Sequence, residues 1–368
     1  MVYGSRFLLF SVLVLLAGLN ACNDDPVIDD NGRDLRDVPY DPVAYVVDLP
    51  PQYPRIVEDP DNPMTAAGVD LGHRLFFDPI LSLDSTISCS SCHLPSVGFT
   101  DGLRFSIGIN GRTPRSSMSI FNTGFVKRGL FWDGRTATLE ELAAIPVEDP
   151  IEMHETWPNV EKKLARHDNY PELFRKAFGI NYSNEITKDL ATRAIAQYTK
   201  ALVIGGQSKY NRAMRGETFF NEAQQNGFDM WFDVSPLYPD AECGHCHNGP
   251  LLTVDDFFNN GIESVSGLED FPDQGHGAVT GVIYDNGKFR APALINIELT
   301  APYMHDGRFQ TLEEVIEHYN SGGHYAENLD PNIRPLDLTD KEKAEILAFM
   351  KTFTDTTFRS NPLFSNPF

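Results

Sequence analysis

Two five-residue runs, Cys89-Ser90-Ser91-Cys92-His93 and Cys243-Gly244-His245-Cys246-His247, constrain this chain more than anything else in it. In each, two thiols three residues apart can be joined to one porphyrin while the adjacent imidazole meets its iron, which is the pattern of a covalently attached c-type haem. A CxxC pair taken alone also suits zinc or a redox disulfide. The recurrence of the whole pattern, His included, argues for two haems, with His93 and His247 as ligands and Cys89, Cys92, Cys243 and Cys246 as attachment points.

Composition sets the frame for those cofactors. With 368 residues and 41% hydrophobic content the chain can build real cores, enough for about two domains, and is neither a disordered tail nor a coiled coil. Behind Arg6, the apolar run from Phe7 to Leu19 is too short to span a membrane and reads as a signal peptide over residues 1–21. Its end, Leu19-Asn20-Ala21-Cys22, resembles a bacterial lipoprotein box in which Cys22 becomes the lipidated residue, Asn20 being a departure from the usual small side chain. Of the five cysteines, Cys22 is then taken by lipid and the other four by haem, so none is left for a disulfide. Exported proteins usually spend thiols on cross-links, and full commitment to CxxCH supports haem instead. The expected location is the bacterial cell envelope, periplasmic or outward-facing. A net charge of −22 makes nucleic acid and anionic lipid poor partners, attracts a basic electron-donor protein, and equally serves plain solubility.

Along the chain, residues 22–63 are rich in Asp and Pro and predict a solvated tether. Leu71 to Phe77 predicts a helix stopped by Pro79, with His73 on it as a packing or surface residue rather than a ligand. Glycines between Gly98 and Gly111 mark a loop of the kind that borders sites. Further helices are predicted from Thr138 with its capping partner Glu141, around 160–167, from Thr187 to Val203, near 219–232, and from Thr339 with Glu342 to about Phe353; strand signals are weak. Phe131-Trp132-Asp133-Gly134-Arg135 followed by Thr138-Leu139-Glu140-Glu141 is echoed by Met304-His305-Asp306-Gly307-Arg308 followed by Thr311-Leu312-Glu313-Glu314, each downstream of a CxxCH. The expectation is a mostly α protein of two tandem cytochrome c-like haem domains related by internal duplication, at 64–210 and 211–355, with a tail at 356–368.

The two CxxCH motifs, Leu71-Gly72-His73-Arg74-Leu75-Phe76-Phe77-Asp78-Pro79, the Phe131 to Arg135 run and Thr300-Ala301-Pro302-Tyr303-Met304-His305-Asp306-Gly307-Arg308 together resemble the bacterial di-haem cytochrome c peroxidases and their MauG-type relatives, over nearly all of residues 65–355. The resemblance implies peroxide chemistry at the Cys89/Cys92 haem and electron entry by the Cys243/Cys246 haem. Relatives that need prior reduction carry a distal His where Ile109 stands here, so an open iron at rest is implied. Glu152 matches the distal glutamate that moves protons during peroxide cleavage. Pro146 falls on another distal-pocket position, and Leu142 replaces a frequent Gln, making that pocket drier. Trp132 matches the tryptophan between the haems.

For the other side of the second haem the resemblance points to Tyr319, where ordinary peroxidases have Met and MauG-type enzymes have Tyr; Met304 and His318 stay open as alternatives. A tyrosine oxygen favours oxidised iron where a thioether raises the potential. His305 is assigned to the haem edge or domain interface. The family's calcium ion would use oxygens at Thr300 and Pro302, with Ser116 where relatives have Asn. The function implied is reduction of hydrogen peroxide with electrons from a small redox protein such as cytochrome c. Two alternatives stand beside it: MauG-type oxidation of a partner protein, and a non-enzymatic di-haem electron carrier. No nucleic acid is expected, membrane contact is expected only through a lipid anchor, and a homodimer is left open.

Overall fold

The computed structural model describes Met1, residues 32–57 and residues 59–368; the expected leader and Cys22 lie outside the described residues. The protein is mostly α, as its sequence predicts. Its only strands among the described residues are two-residue pieces in two antiparallel pairs, Ile107–Gly108 with Gly111–Arg112 and Phe257–Phe258 with Phe289–Arg290. No described helix is long and apolar enough to cross a membrane.

Each half is built on one close helix crossing that a glycine permits. Ala66–Phe77, capped by the Thr65 hydroxyl, packs across Lys188–Ala201, and a Cβ on Gly72 would lie 1.9 Å from the Ala194 carbonyl oxygen. Glu222–Trp231 packs across Asp340–Met350, where a Cβ on Gly227 would lie 2.2 Å from the Glu345 carbonyl oxygen. Such distances cannot be met by any larger residue without moving backbone, so both glycines set the helix spacing. Trp157–Arg166 and Tyr170–Phe178 complete the first half.

The two echoed segments fold alike. Thr138 caps Leu139–Glu148 and Thr311 caps Leu312–Ser321, each with a Glu at the third helical position returning the bond. The turn before each is closed by a single bridge, Leu130 to Thr136 and Tyr303 to Phe309. This local match is compatible with a duplication.

The halves are nevertheless welded. One core cluster joins Phe76, Phe99, Phe121 and Tyr198 of the first to Trp231, Phe349 and Phe353 of the second, while a further cluster around Leu71, Leu75, Leu164 and Phe174 belongs to the first alone.

Two expectations for the chain ends are corrected. Over its described part the 22–63 stretch is a strap rather than a solvated tether. Leu35 is buried in the first half with its amide on the Asn181 carbonyl, Tyr53 Oη donates to Ile204 O at 2.9 Å, and Asn62 accepts from Gln197 Nε2 at 2.7 Å. Residues 356–368 are likewise not a free tail. Phe358 and Phe364 are buried against Phe121, and the Ser365 carbonyl meets His73 Nε2 at 2.7 Å. His73 stacks on Tyr198 at 4.8 Å between ring centres, a packing residue as expected.

Candidate functional site

The first CxxCH forms one helical turn, Cys89–Cys92, entered from Ser88, whose amide donates to Ser91 Oγ at 3.0 Å. Residues three apart share a helix face, so both thiols emerge on one side. His93 ends the turn, and its Nδ1 meets the Phe99 carbonyl oxygen at 3.0 Å. That carbonyl is fixed by the bridge between Leu94 and Thr100. The bond places the proton on Nδ1 and leaves Nε2 as a free lone pair, the form a metal needs. The second motif repeats the arrangement on a 3₁₀ turn, Cys243–His245, with His247 Nδ1 on the Leu252 carbonyl oxygen at 3.0 Å. Burial lowers the pKa of both imidazoles, that of His247 to about 4, so both are neutral.

The four thiols are free and unpaired in disulfides. Burial pushes Cys89, Cys243 and Cys246 up to about 12 and Cys92 to about 11, which opposes the thiolates that disulfide exchange would require. A cavity of about 550 Å³ opens beside the second motif and is lined by Cys243, Cys246, His247, Met304 and Tyr319. Its size, apolar wall and the free Nε2 of His247 fit a haem attached at Cys243 and Cys246.

On the far side of the first motif, Glu152 is half-buried, and its charge is felt at both Cys89 and Cys92. Burial, then the neighbouring Asp149, raise its carboxyl to about 7 against the pull of Arg135. The loop bearing Ile109 is fastened to the same segment: Ile109 N donates to Glu152 O at 2.9 Å, Asn110 N to Ile151 O at 3.2 Å, and Asn110 Nδ2 to Pro150 O at 2.8 Å. A Cβ on Gly108 would fall 2.0 Å from Ile151 O, so glycine is what lets the loop lie this close.

Trp132 belongs to the wall of the second cavity. Its Nε1 donates to the Ser116 carbonyl oxygen at 2.9 Å. Ser117 turns the other way, its hydroxyl donating to Cys92 O at 2.6 Å. Ser116, expected near calcium, donates its hydroxyl to Met304 O at 2.9 Å, and with Thr300 and Pro302 it lines the cavity. His305 is buried and stacked on Phe289 at 3.6 Å in the cavity wall.

Of the three residues weighed for the second haem, Tyr319 and Met304 line the cavity, whereas His318 spends its Nε2 on the Asn260 carbonyl oxygen at 2.9 Å. Burial raises the Tyr319 phenol to about 12. Pro146 and Leu142 sit half-buried on Leu139–Glu148. Sequence reasoning did not single out Ser117 or Asn260. Neither stands in a recognisable pattern, and only the folded chain brings them to the site.

Two CxxCH turns with carbonyl-anchored histidines, on a mostly helical frame, define a di-haem c-type protein. Known proteins narrow the class. The family model described as di-haem cytochrome c peroxidase matches residues 66–219. The chain is 36% identical over 295 residues to the cytochrome c551 peroxidase of Nitrosomonas europaea, covering 80% of this chain and 81% of the relative. It is 32% identical to the methylamine utilization protein MauG of Methylorubrum extorquens, covering 79% of each. The crystal structure of a MauG-like protein associated with microbial copper homeostasis superposes with a TM-score of 0.81 at 36% identity, over 88% of this chain and 99% of that one. The chain belongs to the di-haem cytochrome c peroxidase family.

Proposed function

We propose that this protein is a di-haem peroxidase that reduces hydrogen peroxide to two waters, taking two electrons from a small redox protein and two protons from solvent. Cys89, Cys92 and His93 would hold the haem, which would supply the redox metal for this chemistry. The observation that carries the reading is Glu152, a carboxyl raised to about 7 beside the first CxxCH. A group with a pKa near the working pH can both accept a proton from peroxide and return it to the departing oxygen. The loop from Gly108 to Asn110 shields that exchange and supplies no ligand of its own, because Ile109 has none. Trp132, in the wall of the second cavity, offers the electron route from the second haem.

A pH profile tests this. Glu152 must be ionised to accept the proton, and the ionised form of a carboxyl near 7 is lost as pH falls through that value, so peroxide consumption is expected to rise with pH across it. Initial rates that stay flat from pH 6 to 8, about one unit either side, remove Glu152 as the base.

Tyr319 in the second cavity favours a second reading, in which the same peroxide step withdraws electrons from a partner protein, the MauG-type alternative. Turnover with reduced cytochrome c supports the peroxidase over that alternative, and rapid peroxide loss excludes the simple carrier. The same reading places the protein in the cell envelope, held by a lipid on Cys22, which labelling with palmitate tests. A calcium ion on oxygens of Thr300, Pro302 and Ser116 belongs to it as well; a chelator that leaves electron transfer between the haems unchanged removes it.

A further inference from the structure

All three side chains weighed as the second ligand of the Cys243/Cys246 haem are fastened by one residue. Asn260 follows the Phe257–Phe258 strand and lines the cavity. Its Nδ2 donates to Tyr319 Oη at 3.2 Å and to Met304 Sδ at 3.4 Å, while its carbonyl oxygen accepts from His318 Nε2 at 2.9 Å.

These bonds do unlike things. The carbonyl bond holds the His318 ring by Nε2, and His318 does not line the cavity; the bond comes from backbone, so a side-chain replacement at 260 does not release it. The contact with Met304 restrains a weak acceptor, which would otherwise be a good soft ligand in the same cavity. The Met304 backbone is itself held in the left-handed region, φ 74°, where a non-glycine residue stays only when its surroundings impose it. Ser116 imposes it, through its hydroxyl on Met304 O and its amide on His305 O at 2.8 Å. The bond to Tyr319 favours the oxygen-ligating form, since an N–H donor stabilises negative charge on the phenol oxygen.

We propose that Asn260 is the positioning residue that assigns the ligand of the second haem, presenting Tyr319 while keeping Met304 and His318 off the iron. The proposal rests on the reading of Tyr319 as that ligand. Asn260→Leu removes both side-chain donors at similar volume. In the holoprotein, near-infrared magnetic circular dichroism of the ferric state reads the ligand set of the second haem, with the first haem's signals as an internal control of folding. The expected result is loss of the tyrosine signature and gain of a thioether band, with no thioether band in the Asn260→Leu, Met304→Leu double variant. Asn260→Asp, which keeps the shape and lacks the donors, should lose the tyrosine signature too, and it replaces Asn260→Leu if the first haem's signals are disturbed. A wild-type spectrum in these variants, with a changed one in Tyr319→Phe, overturns the role of Asn260 and leaves the ligand standing. A bis-imidazole signature in Asn260→Leu also overturns it, because His318 would then be free to bind. An unchanged spectrum in Tyr319→Phe overturns the ligand reading itself.

Discussion

The helices Leu139–Glu148 and Leu312–Ser321 are each ten residues long, each capped by Thr with Glu at the third position, and each preceded by an Asp-Gly-Arg turn. They share their first three residues and differ after that, and at the eighth the first has Pro146 where the second has Tyr319. Proline offers no ligand atom and removes an amide donor, whereas a phenol carries an oxygen that iron accepts. The turns before them differ in the same spirit, Phe131-Trp132 against Met304-His305. Arg135 lies over the Phe131 ring at 3.5 Å, while Met304 is tied to Asn260. One local pattern, present twice, thus carries different side chains at equivalent stations while the caps and helix lengths stay the same.

The comparison can be broken at several of those stations. Glu152→Gln should cut peroxide consumption by about 10²–10⁴-fold. It should leave the ferric spectrum of the second haem untouched, and an equal disturbance of both haems would mean that the sites are not separately tuned. Phe353 is fully buried in the core that the halves share, and Phe353→Ala should cost about 3–5 kcal/mol. Denaturant unfolding should then remain one transition followed alike by both haems; two separated transitions would show independent halves. Pro146→Tyr gives the first helix what the second has, and should turn the resting first haem low-spin and slow peroxide consumption by roughly tenfold, about 1.4 kcal/mol. An unchanged spectrum and rate would sink the equivalence of the eighth positions. The smallest effects belong to the caps: Thr138→Ala and Thr311→Ala should each lower stability by about 1 kcal/mol, additively in the double variant.

What was legible in the sequence was whatever chemistry writes in a few adjacent residues. Haem attachment demands Cys, Cys and His at fixed spacing, and a capping box demands Thr and Glu three apart, so both motifs and both helix starts were readable. The strap and the C-terminal segment were misjudged because their anchors are isolated. Leu35 and Phe358 stand singly among polar residues, Tyr53 and Phe364 near prolines that break any period, and their burial depends on partners far along the chain, such as Asn181, Ile204 and Phe121. Gly72 and Gly227 looked ordinary for the same reason. A glycine's value at a helix crossing lies in the neighbouring helix, and local pattern does not carry it. Asn260 is the extreme case, a residue whose three partners come from two distant segments.

The C-terminal segment has a consequence in time. Phe364 packs on Phe99 and Phe121, and Ser365 holds His73, so the packing behind the first CxxCH is completed by residues far downstream of it. Synthesis delivers Cys89 and Cys92 long before Phe364. During that interval the first pair of thiols belongs to an unfinished chain, without the aromatic wall that later backs it.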